Sequence, residues 1–352
     1  NLAKAFLVLI IIIPIVLINR VKLAHLPLYL SNTKYTDIID AMFEVQYTGS
    51  EAKNTLNYLK EKKKINDNTD DYILKLYDKG YNKNTIDYLI RNLNKSQITD
   101  FLDKKYSKDF EEYIKLDLFK YSKYNRYLKY QEKHKDLSLE DVVIRIELNM
   151  DKTYYEDSEF IKNPDEITTL ANKYYEIPED YEPKDLVDME DDYANNMYGT
   201  LTLRKEAYEK FKEMCNASRK DGVKFYAESA YRGYNYQNII YKNYIDENGQ
   251  EKADKYAARP GFSEHELGLA LDLANIWTIT TKGEEYKWLT KNAYKYGYII
   301  RYKKEWEDIT GYSAESWHIR YVGVKAASVI QKENITYEEY YAKYILTKKS
   351  SK

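Results

Sequence analysis

Cysteine is almost missing from this sequence, and that scarcity closes off two chemistries. A single residue, Cys215, permits no intrachain disulfide and no zinc site built on several thiolates. An excess of one charge is missing as well. Lys and Arg number 55 against 57 Asp and Glu, so the chain has no global basic field to hold nucleic acid. Histidine is scarce at four residues, which makes any motif containing one informative. Tyrosine, in contrast, occurs 40 times. It is spread through every region together with many Lys, Asn and Ile, and so reads as compositional bias rather than as a stacking platform. A length of 352 residues is enough for two domains and a sizeable core.

Long apolar runs are absent except at the start. Residues 5–18 are apolar throughout, with Pro14 inside the run, Lys4 before it, and Asn19, Arg20 and Lys22 after it. The run is close to the length of a signal-peptide core. Extended through Val21 and Leu23, it approaches the roughly 20 residues of a spanning helix. No small-x-small cleavage site follows. We read 5–23 as an uncleaved signal-anchor or transmembrane helix.

Residues 31–150 read as an all-α stalk or repeat region. Lys53-Asn54-Thr55-Leu56-Asn57-Tyr58-Leu59 resembles Lys83-Asn84-Thr85-Ile86-Asp87-Tyr88-Leu89, and units recur every 25 to 30 residues or so. Asn82 and Ser107 suit N-caps, and Gly80 suits the position just after a helix. The aromatic stripe over 107–133 predicts a helical face. His25 and His134 have no ligand spacing and are assigned no metal.

Residues 151–200 form a lead-in. Thr153-Tyr154-Tyr155 is strand-like, and Asn163-Pro164-Asp165 predicts a helix running to 173. Further on, the patterns predict helices over 203–220 and 284–296, the latter closed by Gly297. They predict strands over 223–230 and 298–302, and Cys215 packs inside the first of these helices. Helices followed by strands without a βαβ rhythm predict an α+β domain with a small antiparallel sheet flanked by helices.

The chemistry concentrates in two short segments. Ser263-Glu264-His265-Glu266-Leu267-Gly268-Leu269-Ala270-Leu271-Asp272 ends in a period-2 alternation, as a strand does. About fifty residues later comes Glu315-Ser316-Trp317-His318, where His318 begins an alternation with Arg320 and Glu315 sits on the approach loop. Gly268 and Ala270 leave room on the face that carries Asp272. His265, Asp272 and His318 offer three metal donors, and Glu315 is a spare carboxylate. This is the donor set of a catalytic zinc: three protein ligands, an open position, and a base.

These segments resemble the motifs of the VanY-type D-alanyl-D-alanine carboxypeptidases, a branch of the LAS zinc metallopeptidases. Ser229-Ala230-Tyr231-Arg232-Gly233-Tyr234-Asn235-Tyr236-Gln237 and Ala258-Arg259-Pro260-Gly261 add to the likeness, which spans about 201–330. Ser316 departs from it, where Pro is common. The resemblance implies a catalytic domain over 201–335, with 336–352 as a tail. It implies zinc held by His265, Asp272 and His318, with Glu315 as general base and then acid. Arg232 would stabilise the oxyanion or pair with the substrate carboxylate. Ser263 and Gln237 would line the substrate cleft. The implied partner is the peptidoglycan stem peptide, which sets the catalytic domain outside the cytoplasm on a single-pass membrane protein. The favoured reaction is D,D-carboxypeptidase removal of terminal D-Ala. L,D-cleavage of tetrapeptide stems stays open, as does a non-catalytic wall-binding scaffold.

Overall fold

The computed structural model describes residues 20, 22–197, 199–273 and 281–347. Most of the apolar segment read as a signal-anchor, 5–23, lies outside the described residues. Among those that are described, no helix is long and apolar enough to cross a membrane. The chain divides into two compact units between Ser122 and Lys123.

The first unit is built from short helices: α1 (Leu26–Ser31), α2 (Thr36–Glu44), α3 (Gly49–Glu61), α4 (Thr69–Asp78), α5 (Lys83–Asn92), α6 (Lys95–Asp103) and α7 (Lys108–Tyr113). Their starts are written in the sequence. Asn82 Oδ1 accepts the N–H groups of Asn84 and Thr85, and Ser107 Oγ accepts that of Phe110. Gly80, at φ +102°, lets the chain turn after α4. The two copies of the Lys-Asn-Thr repeat fall on α3 and α5 and meet. Thr55 Oγ1 donates to Asp87 Oδ1 at 2.6 Å and accepts from Arg91 Nη2 at 2.6 Å. The helical face predicted over 107–133 is interrupted. The chain leaves α7 at Ile114 and folds Phe119 back onto Phe110, ring centroids 5.9 Å apart. Burying these aromatics in a turn satisfies the same apolar residues that a longer helix would have used.

The second unit opens with α8 (Tyr124–Lys133) and α9 (Leu139–Glu147), so the last helices of the predicted stalk belong to the unit that carries the sheet. The lead-in holds β1 (Glu159–Phe160) parallel to β2 (Tyr175–Glu176), and its β3 (Leu186–Asp188) pairs antiparallel with β4 (Thr202–Arg204), just beyond it. Residues 153–155 form no strand but a turn, with Tyr155 at φ +64°. The helix predicted from 163 to 173 is also replaced by turns. Its would-be hydrogen-bond acceptors are committed elsewhere: Arg320 Nη2 takes the carbonyls of Ile167 and Thr169 at 3.0 and 2.9 Å. A buried guanidinium needs those acceptors, and tertiary demand overrides local pattern.

After α10 (Lys205–Lys220) come β5 (Ala227–Ser229), α11 (Tyr234–Asn248), α12 (Gln250–Tyr256), β6 (Ala270–Leu273), α13 (Glu284–Asn292), β7 (Tyr298–Tyr302), α14 (Glu307–Thr310), β8 (Glu315–Tyr321), α15 (Val324–Glu333) and α16 (Tyr337–Tyr340). The four long-range strands form one antiparallel sheet in the order β5-β6-β8-β7. This is the α+β arrangement the sequence predicted. The pleat sorts its residues. Leu271, Leu273, Tyr298, Ile300, Ile319 and Tyr321 point into a core shared with Ala207, Phe211, Met214 and Cys215 of α10. Ala270, Asp272, Arg301, His318 and Arg320 alternate with them and face the other side. Cys215 is a packing residue, as expected, and burial pushes its thiol up to about 12.

Candidate active site

The site lies on the sheet face opposite α10, and strand register assembles it. In the β6–β8 ladder Asp272 pairs with His318, and Ala270 with Arg320. The third donor arrives by a tight turn. Ser263 caps the turn Glu264–Leu267 in a capping box with Glu266, and Gly268 closes it at φ +63°. The strand therefore starts at Ala270, later than the alternation alone suggested. Gly268 serves the turn and not the metal: a Cβ there would meet Arg204 and Leu186 at 3.0 Å. The turn carries His265 back over Asp272.

The three residues are buried, and one ligand atom from each lies within 4.8 Å of the other two. His265 Nε2 is 3.3 Å from Asp272 Oδ2, and His318 Nδ1 is 3.1 Å from Asp272 Oδ1. The His265 tautomer is defined by its surroundings. Nδ1 lies 2.6 Å from the carbonyl of Ala230 and donates to it, leaving the Nε2 lone pair toward Asp272. Burial pushes the pKa of His265 down to about 4, so it stands neutral at neutral pH. Burial also pushes the Asp272 carboxyl up, but His265, Arg232 and His318 outweigh it and hold it well below the usual range. A neutral imidazole and an ionised carboxylate are the forms that bind a metal.

Glu315 stands at the first residue of β8 rather than on the loop before it, paired with Tyr302. Its Oε2 is 3.6 Å from His318 Nδ1. Burial drives its pKa up to about 7, against the pull of His318, the range suited to moving a proton. His318 has a pKa raised to about 9: burial works against its charge, but Asp272, Glu264 and Glu315 around it win.

Arg232 leaves the end of β5 and reaches the same cluster. Its Nε donates to Ser229 Oγ at 2.9 Å, and Nη1 to Gln237 Oε1 at 3.3 Å. Nη2 lies 3.0 Å from His265 Nε2 and pairs with Asp272. Gln237 is buried and gives its amide to the carbonyl of Ala258 at 2.8 Å, so it holds the guanidinium in place. Ser263 is buried in its cap, with Oγ 3.4 Å from the His265 nitrogen. The structure thus brings all seven residues of the sequence reading into one neighbourhood. It gives Gln237 and Ser263 structural partners there.

Behind the donors is a layer in which the sequence reading gave no role to Glu264, Arg301 or Glu338. Glu264, Arg301, Arg320 and Glu338 are buried together. Arg301 Nε is 2.9 Å from Glu264 Oε1, Arg320 Nη1 is 3.2 Å from the same atom, and Arg301 Nη2 is 2.6 Å from Glu338 Oε1. The available signal was arginine alternating with apolar residues in Tyr298–Tyr302 and in Glu315–Tyr321. His25 and His134 stack on Phe43 and Tyr130 and take no part.

An α+β domain with a buried His/Asp/His donor set and an adjacent carboxylate defines a metallopeptidase. Comparison with known proteins places it further. The family model "VanY: D-alanyl-D-alanine carboxypeptidase" matches residues 200–324. YodJ of Bacillus subtilis (strain 168), whose carboxypeptidase designation is provisional, is 42% identical over 211 residues, covering 56% of this chain and 77% of that protein. A D-alanyl-D-alanine carboxypeptidase of Enterococcus faecium is 36% identical over 177 residues, 49% of this chain and 56% of that one. Among solved structures, the LdcB LD-carboxypeptidase is similar with a TM-score of 0.50 at 42% identity, over 54% of this chain and 92% of that one. The chain belongs to the VanY family of D-alanyl-D-alanine carboxypeptidases. The family's metal is zinc, and the donors fit it: two imidazoles and one carboxylate, with the second nitrogen of His265 already engaged.

Proposed function

We propose that this protein is a cell-wall carboxypeptidase that hydrolyses the last peptide bond of peptidoglycan stem peptides and releases D-Ala. The observation that carries this is the convergence of Glu315 and Arg232 on the buried His265, Asp272 and His318 set. His265, Asp272 and His318 would hold the zinc. When bound, the ion polarises a carbonyl and lowers the pKa of a water to about 7. Glu315 accepts a proton from the attacking water at its carboxylate. It then hands that proton to the departing amine nitrogen as the C–N bond breaks. Arg232, fixed by Ser229 and Gln237, offers a guanidinium to the oxyanion or to the terminal carboxylate of the substrate. Ser263 keeps His265 in register.

D,D-cleavage of a D-Ala-D-Ala end is the reading supported by the family description and by the enterococcal relative. The likeness to an LD-carboxypeptidase over 92% of that chain supports a second reading, removal of D-Ala from a tetrapeptide. The catalytic unit works outside the cytoplasm in this proposal, with 5–23 as its anchor. Zinc-loaded protein incubated with defined pentapeptide and tetrapeptide stems decides the reaction by product mass. Loss of one alanine from the pentapeptide alone supports D,D-cleavage, and loss from the tetrapeptide alone supports L,D-cleavage. No product from either stem would overturn the proposal.

A further inference from the structure

The layer behind the metal donors has a defined relation to one of them. His318 Nε2 and Glu264 Oε2 are both buried, lie 3.5 Å apart, and neither has a hydrogen-bond partner among the described residues. Two unsatisfied buried polar atoms this close can satisfy one another. The other ring nitrogen, Nδ1, faces Asp272 and Glu315. A hydrogen on Nε2 directed at Glu264 leaves the Nδ1 lone pair on the donor side.

We propose that Glu264 is a positioning residue that fixes the tautomer and ring orientation of His318 through Nε2–H, and that Glu338 serves the same end through Arg301. Glu264 cannot drift, because Arg301 and Arg320 grip its Oε1 at 2.9 and 3.2 Å and leave Oε2 for the imidazole. Arg301 is in turn held by both oxygens of Glu338, at 3.0 and 2.6 Å. Glu338 lies on α16, in the stretch past 335 that the sequence reading treated as a tail. Its neighbours Tyr337 and Tyr340 are buried, and Thr336 starts the helix with a capping box. Four buried ionic groups are expensive to assemble for stability alone, since well-packed apolar residues would do as well. Their arrangement makes sense as a rigid backing for a ligand, the role that carboxylates behind metal-bound histidines play in general.

This inference rests on the metal reading above, so its test reads the metal and the imidazole directly. Zinc affinity is measured by chelator competition on the full chain, and His318 by NMR of the zinc-loaded protein with ¹⁵N-labelled histidine. Wild type is expected to give an Nε2–H signal for His318 that exchanges slowly with solvent. Glu264→Met is expected to bind zinc about 10- to 100-fold more weakly and to lose that slow exchange. Glu264→Gln keeps the shape and an acceptor oxygen, is the variant of choice if Met impairs folding, and should recover part of both. Glu338→Gln should shift both readouts in the same direction by less. Unchanged zinc affinity and unchanged exchange in Glu264→Met, or in Glu264→Gln if that alone folds, would overturn the role. So would weakened zinc binding with the His318 signal intact. A wild type that fails to bind zinc would instead strike the metal reading on which the role depends.

Discussion

Asp272 and His318 face each other in direct register across β6 and β8, with Oδ1 and Nδ1 3.1 Å apart. Two of the three candidate metal donors are therefore set by backbone pairing, the most rigid device a sheet offers. His265 is the adjustable member, brought in by a capped turn. Zinc held by this pair would tie the two strands together, so it should stabilise the fold as well as serve the reaction. Saturating zinc is expected to raise the melting temperature of the wild type. In His318→Ala, which leaves two donors, most of the zinc should be lost on dialysis and the thermal shift should vanish. Full zinc occupancy in that variant would show that the ligand set is wrong.

Glu315 lies beside the candidate ligands, and its proposed part is to handle protons. Glu315→Ala should retain zinc while turnover drops by about 10²- to 10⁴-fold. Metal analysis and kcat on a stem peptide, taken on the same sample, separate the outcomes. Zinc lost along with activity would make Glu315 a ligand, and an unchanged kcat would remove it from the chemistry.

The pKa of Glu315 also has a consequence for stability, and its sign is fixed. Burial raises the folded-state value to about 7, above the ordinary carboxylate of the unfolded chain. The folded protein thus holds the proton more tightly. The resulting stability is fully present below the unfolded value and is lost as pH rises through about 7. In metal-free protein, Glu315→Gln should abolish that loss. Denaturant unfolding at pH 4 to 8 should show the variant gaining on wild type as pH increases, and a constant difference would contradict the burial argument.

The cluster of His265, Asp272, Glu315 and His318 was legible in the sequence because its spacing is local: a turn and a strand for His265 and Asp272, and one strand for Glu315 and His318. Helix starts at Asn82 and Ser107 were legible for the same reason, since a cap needs only its next three residues. What escaped was set by distant partners. The helix expected over 163–173 fails because its carbonyls serve Arg320, some 150 residues away. Glu264 reads as one acid among several until Arg301 and Arg320 are brought to it by strands β7 and β8. Glu338, beyond the family-like stretch, has no local pattern at all. Buried charge is paired in space, and a linear reading sees only one partner at a time.

Arg232 offers the sharpest test of substrate choice. Its Nη2 meets His265 and Asp272, while Nε and Nη1 are held by Ser229 and Gln237. A carboxypeptidase must recognise a free terminal carboxylate, and a developing oxyanion also needs a cation. If Arg232 serves the carboxylate, Arg232→Lys should be poor, because an ammonium cannot make the two-pronged contact. The defect should then shrink on a stem amidated at its C-terminus, which wild type should cleave badly. If it serves the oxyanion, Arg232→Lys should lower kcat about equally for acid and amide. Gln237→Ala offers a check on positioning. It removes the acceptor for Nη1 and the tie to Ala258, so it should reproduce a weaker form of whichever pattern Arg232→Lys gives, with zinc retained. Comparing kcat/KM for the acid and the amide across wild type and these two variants decides the role. A wild type that cleaves both substrates equally well would rule out the carboxylate anchor and would favour cleavage within a peptide over removal of its last residue.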